Sequence, residues 1–91
     1  PIGAICIAPA LVAKILGKDE KIRVTIGTDK NTGEKLNKMG AEHIECAVHD
    51  FVVDEKYRIV STPAYMIGAG IKDIAAGIDG LVKAVIELAT K

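Results

Sequence analysis

An α/β fold built on a mainly parallel sheet, with a cysteine presented at a strand-to-helix turn, is predicted by three observations. Residues Pro1 to Gly17 read as strand, sharp turn and helix, with Cys6 at the turn. Apolar runs of strand length then recur between polar, helix-forming stretches. From Ile71 onward the apolar residues repeat with a period near 3.6, the mark of a long amphipathic helix.

The elements follow in order. Ile2-Gly3-Ala4-Ile5-Cys6-Ile7 is uncharged and nearly all apolar, which predicts a strand buried on both faces. Pro9 suits the first turn of the next helix, where its missing N–H costs nothing. Leu11, Val12, Ile15 and Leu16 recur at helical spacing, and Gly17 is a stop signal. The charged run Lys18-Asp19-Glu20-Lys21 is a solvated loop. Ile22, Val24 and Ile26 alternate with Arg23 and Thr25, a strand with one buried face that Gly27 closes. Asn31 with Glu34 marks a helix start, Leu36 and Met39 give it a thin apolar stripe, and Gly40 ends it. Ile44, Cys46 and Val48 alternate within 41–48, which predicts a short strand or extended edge. Phe51-Val52-Val53 and Arg58-Ile59-Val60-Ser61 flank a polar turn and read as a hairpin ended by Pro63.

In the last helix nine apolar residues between Ile71 and Ala89 share a phase, while Asp79, Lys83, Glu87 and Lys91 form i,i+4 pairs on another face. Gly77 and Gly80 each cost about 1 kcal/mol against alanine there, which the apolar repeat outweighs. A bend near Gly77 is the expected accommodation.

Composition bounds the function. Lys+Arg and Asp+Glu both number 12, and aromatic residues are 3%, so there is neither the concentrated positive charge nor the stacking surface of a nucleic-acid binder. No apolar stretch approaches the ~18 residues of a membrane span, so no membrane partner is expected. No signal peptide is read at the start, and two cysteines do not make a disulfide framework, which favours a reducing compartment: cytoplasmic, or mitochondrial if the source is eukaryotic. A strand buried on both faces needs layers above and below it, and only about four strand candidates are present. The chain is therefore expected to be part of a larger α/β domain whose first half is absent.

Cys6 is the candidate nucleophile. A tight elbow requires small neighbours two residues away on either side, and these are Ala4 and Ala8. A helix starting near Ala8 aims unpaired N–H groups and its positive dipole end at the sulfur, favouring the thiolate. A cysteine in an apolar strand also reads as a small buried hydrophobe, and the pattern alone leaves that reading open. The backbone N–H of Ile7 is the candidate oxyanion donor. Thr28 and Asp29, in the loop after the second strand, fall on the rim where open parallel sheets collect ligands. As turn residues with local hydrogen bonds they have an equally good structural explanation. Thr62 and Pro63 stand at the carboxyl end of a later strand and complete the candidate substrate-binding set. No metal is expected, since His43, His49 and Cys46 lack ligand spacing.

Ala4-Ile5-Cys6-Ile7-Ala8-Pro9-Ala10 resembles the elbow of the PfpI-type, class I glutamine-amidotransferase-like superfamily. Together with Val24-Thr25-Ile26-Gly27-Thr28-Asp29, Met39-Gly40-Ala41-Glu42-His43 and Ser61-Thr62-Pro63-Ala64-Tyr65-Met66, it resembles the ElbB (enhancing lycopene biosynthesis protein) family and its mitochondrial relatives. The match runs from end to end but covers only the second half of that family's chain. It implies a flavodoxin-like three-layer sandwich, with residues 1–91 as the C-terminal part of a single domain. It further implies a weak, cofactor-free glyoxalase activity converting glyoxal to glycolate, a link to isoprenoid biosynthesis, a homodimer, and a carboxyl partner for Cys6 from the missing N-terminal half.

The departures also matter. His43-Ile44-Glu45 matches the H-x-E of amidotransferase triads but lies in the wrong place, because the corresponding segment here is Thr62 to Tyr65. Ile7 stands where PfpI-like proteases carry histidine. Without a general base, protease or glutaminase chemistry is disfavoured. The competing expectation is a non-catalytic or redox-responsive binding protein, with Cys6 oxidised reversibly to sulfenic acid.

Overall fold

In the computed structural model, which describes residues 1–90, β5 (Ile59–Thr62) forms the middle of the main sheet. On one side it pairs in parallel with β1 (Ile2–Ile5), in the register Ile2 to Ile59 through Ile5 to Thr62. On the other it pairs antiparallel with β4 (Val52–Asp54), the predicted hairpin. A second, two-stranded parallel sheet joins β2 (Arg23–Val24) to β3 (Glu42–His43). The helices are α1 (Ala8–Leu16), α2 (Lys30–Lys38) and α3 (Ile71–Ala89), with a short 3₁₀ turn at Ala64–Met66.

Alternation along β5 divides the core. Ile59 faces a cluster of Ala13 from α1, Leu36 from α2, and Ile22, Val24 and Ile26 around β2. Val60 faces Leu81 and Leu88 of α3. The result is three layers, helices over and under the sheets, the α/β arrangement that the resemblance implies. Two of the strand pairings are parallel, and the β4–β5 hairpin makes the main sheet mixed.

The second sheet is shorter as a ladder than its sequence suggests, yet its backbone pairing continues beyond it. Ile44 N–H donates to the Val24 carbonyl (2.9 Å) and Cys46 N–H to that of Gly27 (3.3 Å). Side chains tie it to the main sheet. Thr25 N–H donates to Ser61 Oγ (3.0 Å), and Arg23 N–H to the buried carboxylate of Asp54 (2.7 Å).

Three expectations are corrected. β1 is not buried on both faces: it lies at the end of its sheet, with Ile2 43% exposed and only Ala4 fully buried. Leu11 and Ile15 of α1 are more than 60% exposed, and the helix seats itself through Pro9 and Ala13 instead. The cap of α2 is Asp29 rather than Asn31: its carboxylate accepts Asn31 N–H (3.2 Å) and the Thr32 hydroxyl (2.6 Å).

α3 runs through Gly77 as one helix. A Cβ on Gly77 would lie 2.8 Å from Thr62 Oγ1 and closer still to the Val48 carbonyl oxygen, so this glycine is where the helix touches the sheet. Asp79 and Lys83 form the expected i,i+4 pair at 3.0 Å, exposed and of small energetic weight. Lys91, the last of that charged series, lies outside the described residues.

Candidate functional site

β1 ends at Ile5 and α1 begins at Ala8, with only Cys6 and Ile7 between them. To make that reversal Cys6 adopts φ 65°, a left-handed conformation uncommon for a residue with a side chain. Such strain persists only where surrounding structure enforces it, and it concentrates at functional sites. Here the enforcement is visible. Cys6 N–H donates to the Thr62 carbonyl of β5 (3.1 Å), and Pro9 stiffens the first turn of α1. The thiol is half-buried, beside a cluster formed by Val48, Ala64 and Ile74.

Ile7 is the N-cap of α1, 56% exposed, with its carbonyl accepting Ala10 N–H (2.9 Å). No acceptor for the Ile7 N–H occurs among the described residues. A free amide adjoining the sulfur at a helix N-terminus has the chemistry suited to an oxyanion.

The remaining candidates differ in what their side chains can do. Thr62 and Pro63 are fully buried, and the Thr62 hydroxyl is used internally, donating to the Asp50 carbonyl (2.7 Å). Thr62 thus meets Cys6 through its backbone. Pro63 borders the loop after β2, because Gly27 (φ 111°) is so close that a Cβ there would sit 3.3 Å from the Pro63 Cβ. Thr28 follows Gly27 and is exposed. The contacts of Cys6 with Thr62, and of Pro63 with Gly27, bring the ends of β1, β5 and the β2 segment to one rim. Asp29 is also exposed, but its carboxylate is occupied as the cap of α2, and the Thr32 hydroxyl chiefly lowers its pKa below the ordinary value.

The other ionisable candidates stand apart. Cys46 is buried, its Sγ facing the Ala47 carbonyl at 3.3 Å, and burial with the nearby Asp50 charge raises its pKa to about 11. That is an inert structural thiol. His43 packs its ring against Gly33 of α2 and leaves Nε2 buried with no partner among the described residues. Burial lowers its pKa, partly opposed by Glu45. No imidazole is hydrogen-bonded to Cys6, and no three His, Cys, Asp or Glu side chains converge as a metal would require, in both cases among the described residues.

Sequence reading missed Ala64. It follows Pro63, is fully buried, and also adopts a positive φ of 48°, so β1 and β5 both leave the sheet through a left-handed residue. Alanine advertises no such conformation; the only signal was Pro63 directly after a strand.

No protein-family model matches the chain. Among curated proteins it is 36% identical over 100 aligned residues to the ES1 protein homolog, mitochondrial, of Rattus norvegicus. It is equally similar to the human glutamine amidotransferase-like class 1 domain-containing protein 3, mitochondrial. All of this chain is matched in both cases, and it spans 36% of each relative. Among solved structures it superposes on an isoprenoid biosynthesis protein with amidotransferase-like domain from Ehrlichia chaffeensis with TM-score 0.90 and 34% identity. That match covers 98% of this chain and 41% of the Ehrlichia chain. The fold is therefore amidotransferase-like α/β, and its homologues are class 1 glutamine amidotransferase-like proteins.

Proposed function

We propose that this chain is the elbow-bearing part of an ElbB-like, cofactor-free cysteine enzyme that acts slowly on small dicarbonyls, converting glyoxal to glycolate. The observation that carries this reading is Cys6 itself, held at φ 65° between a strand and a helix N-terminus and half-open to solvent. In this chemistry the Cys6 thiolate adds to one aldehyde carbon of glyoxal, forming a C–S bond and an alkoxide. The Ile7 N–H is placed to hold that developing charge. Protonation gives a hemithioacetal. Loss of its C–H proton and return of a proton to the neighbouring carbon oxidise the first carbon and reduce the second, leaving a glycolyl thioester. Water cleaves the thioester, releasing glycolate and restoring the thiol, with no external oxidant.

No base in the described residues serves these proton transfers, so the rate is expected to be low. A carboxyl group from the preceding part of a longer polypeptide is the proposed acid–base partner. Thr28, exposed at the rim, is the proposed substrate contact, and the buried Thr62 and Pro63 shape the floor of the rim behind it. The names of both curated relatives place them in mitochondria, and the same compartment is proposed here for a eukaryotic source. Homodimer formation belongs to the same proposal.

The test is glycolate formation from glyoxal, followed by proton NMR, in the unaltered chain and in Cys6→Ser. The expected result is slow turnover that the substitution abolishes while circular dichroism stays the same. Equal rates in the two would remove Cys6 from the mechanism. Reversible sulfenic acid formation at Cys6 without turnover would favour the redox-responsive alternative.

A further inference from the structure

The exposed flank of α1 carries apolar surface and positive charge side by side. Ile7 and Leu11 are exposed and, with Ala8 and Lys14, fall on one face of the helix about two turns long. Ile5 at the end of β1 and Met39 at the end of α2 close this face into an apolar hollow of about 650 Å³. A hollow of that size is in the range of small-molecule sites.

At its Lys14 end this hollow runs into another. Lys14 and Met39 also line a smaller one of about 370 Å³, together with Lys18 and Lys38. Three ammonium groups meet there, and no carboxylate side chain lines either hollow. Lys14 and Lys38 lie in the last turns of α1 and α2, where a cation offsets the helix dipole. That accounts for two of the three; Lys18 lies beyond the end of α1. The ion pairs among the described residues, Arg23 with Glu42 and Lys83 with Asp79, involve none of them. The whole chain is balanced, with 12 basic and 12 acidic residues, so the excess of positive charge is local to this spot.

We infer that the joined hollows bind a single-chain amphiphile with a phosphate head group, its alkyl chain along Ile7 and Leu11 and its phosphate among Lys14, Lys18 and Lys38. The stem of Lys14 suits both halves, because it can lie along apolar surface while its head reaches the anion. A phosphate brings about two charges and three strong acceptor oxygens, which suits three converging ammonium groups better than a carboxylate does. A polypeptide layer closing over this end would instead bury three cations, which is costly unless it pairs each of them. The inference concerns binding and is independent of the chemistry at Cys6.

The test is calorimetric titration of this chain with monododecyl phosphate, kept below its micelle concentration. The expected result is saturable one-to-one binding. It should weaken by about tenfold or more when Lys14→Gln, Lys18→Gln and Lys38→Gln are combined, and likewise in Leu11→Ser. All four positions are exposed, so circular dichroism should not change. Lys35→Gln, on α2 but outside both hollows, should bind as the unaltered chain does. Absence of saturable binding would overturn the inference, as would equal weakening by Lys35→Gln. Inorganic phosphate binding as tightly would reduce the site to a bare anion patch, and dodecyl maltoside binding as tightly would reduce it to apolar contact; either result overturns it. So does binding to anionic phospholipid vesicles without binding to the monomeric amphiphile, which would mark a membrane-facing surface.

Discussion

Ser61 Oγ accepts the backbone N–H of Thr25 at 3.0 Å, with both residues fully buried, and this bond helps to hold the two-stranded sheet to the three-stranded one. Where a continuous sheet would use a backbone ladder, a hydroxyl stands in. Ser61→Ala would leave the Thr25 N–H buried without a partner, a loss of about 1–3 kcal/mol. Urea unfolding should show a lower midpoint with an unchanged slope. An unchanged midpoint would mean that water reaches Thr25.

Gly77 allows opposite signs to be tested against each other. Helix propensity alone predicts that Gly77→Ala stabilises by about 1 kcal/mol. The added methyl would instead press on the Val48 carbonyl and the Thr62 hydroxyl. Overpacking of this kind costs about 1–3 kcal/mol, so the net effect in thermal unfolding should be a loss. Because Thr62 also holds Cys6 N–H, the rate of Cys6 alkylation should change in the same variant. A gain in stability with unchanged alkylation would place α3 farther from the sheet.

The two cysteines should separate chemically. At pH 8 a thiol with pKa about 11 is thiolate in about one molecule in a thousand, and Cys46 is buried as well. Iodoacetamide followed by peptide mapping should label Cys6 first and Cys46 only on unfolding. Equal labelling of both in the folded chain would contradict the burial of Cys46.

Much of this was legible in the sequence where one local rule decided the outcome. The apolar run to Ile5, the small neighbours of Cys6 and Pro9 gave the elbow; the polar turn between Val53 and Arg58 gave the hairpin. The phased residues from Ile71 gave α3. What was not legible depends on neighbours distant in sequence. The run Ile2 to Ile7 looks buried on both faces because its composition suits that, but composition does not say whether a neighbouring strand is present. Leu11 and Ile15 have helical spacing, but small Ala13 and Pro9 are what fit against the sheet. The close approach of Gly77 to Val48 leaves no mark in the helix's own sequence. Thr62 stands at the right rim, yet its hydroxyl turns inward to Asp50, which only the fold reveals.

His43 should make stability depend on pH in a known direction. Burial holds its folded pKa below the ordinary 6.5, with Glu45 partly opposing the shift. The neutral imidazole is therefore the form the fold prefers, and the unfolded chain binds the proton more readily. This contribution is fully present above pH 6.5, falls as the pH drops from there, and levels off below the folded pKa. Proton NMR should show the His43 ring titrating below 6.5, and His43→Gln should flatten the stability profile between that pKa and pH 7. A ring that titrates at or above 6.5 would mean that Nε2 has found a partner against Gly33 and Asn37, and that the imidazole is not packed as a neutral group.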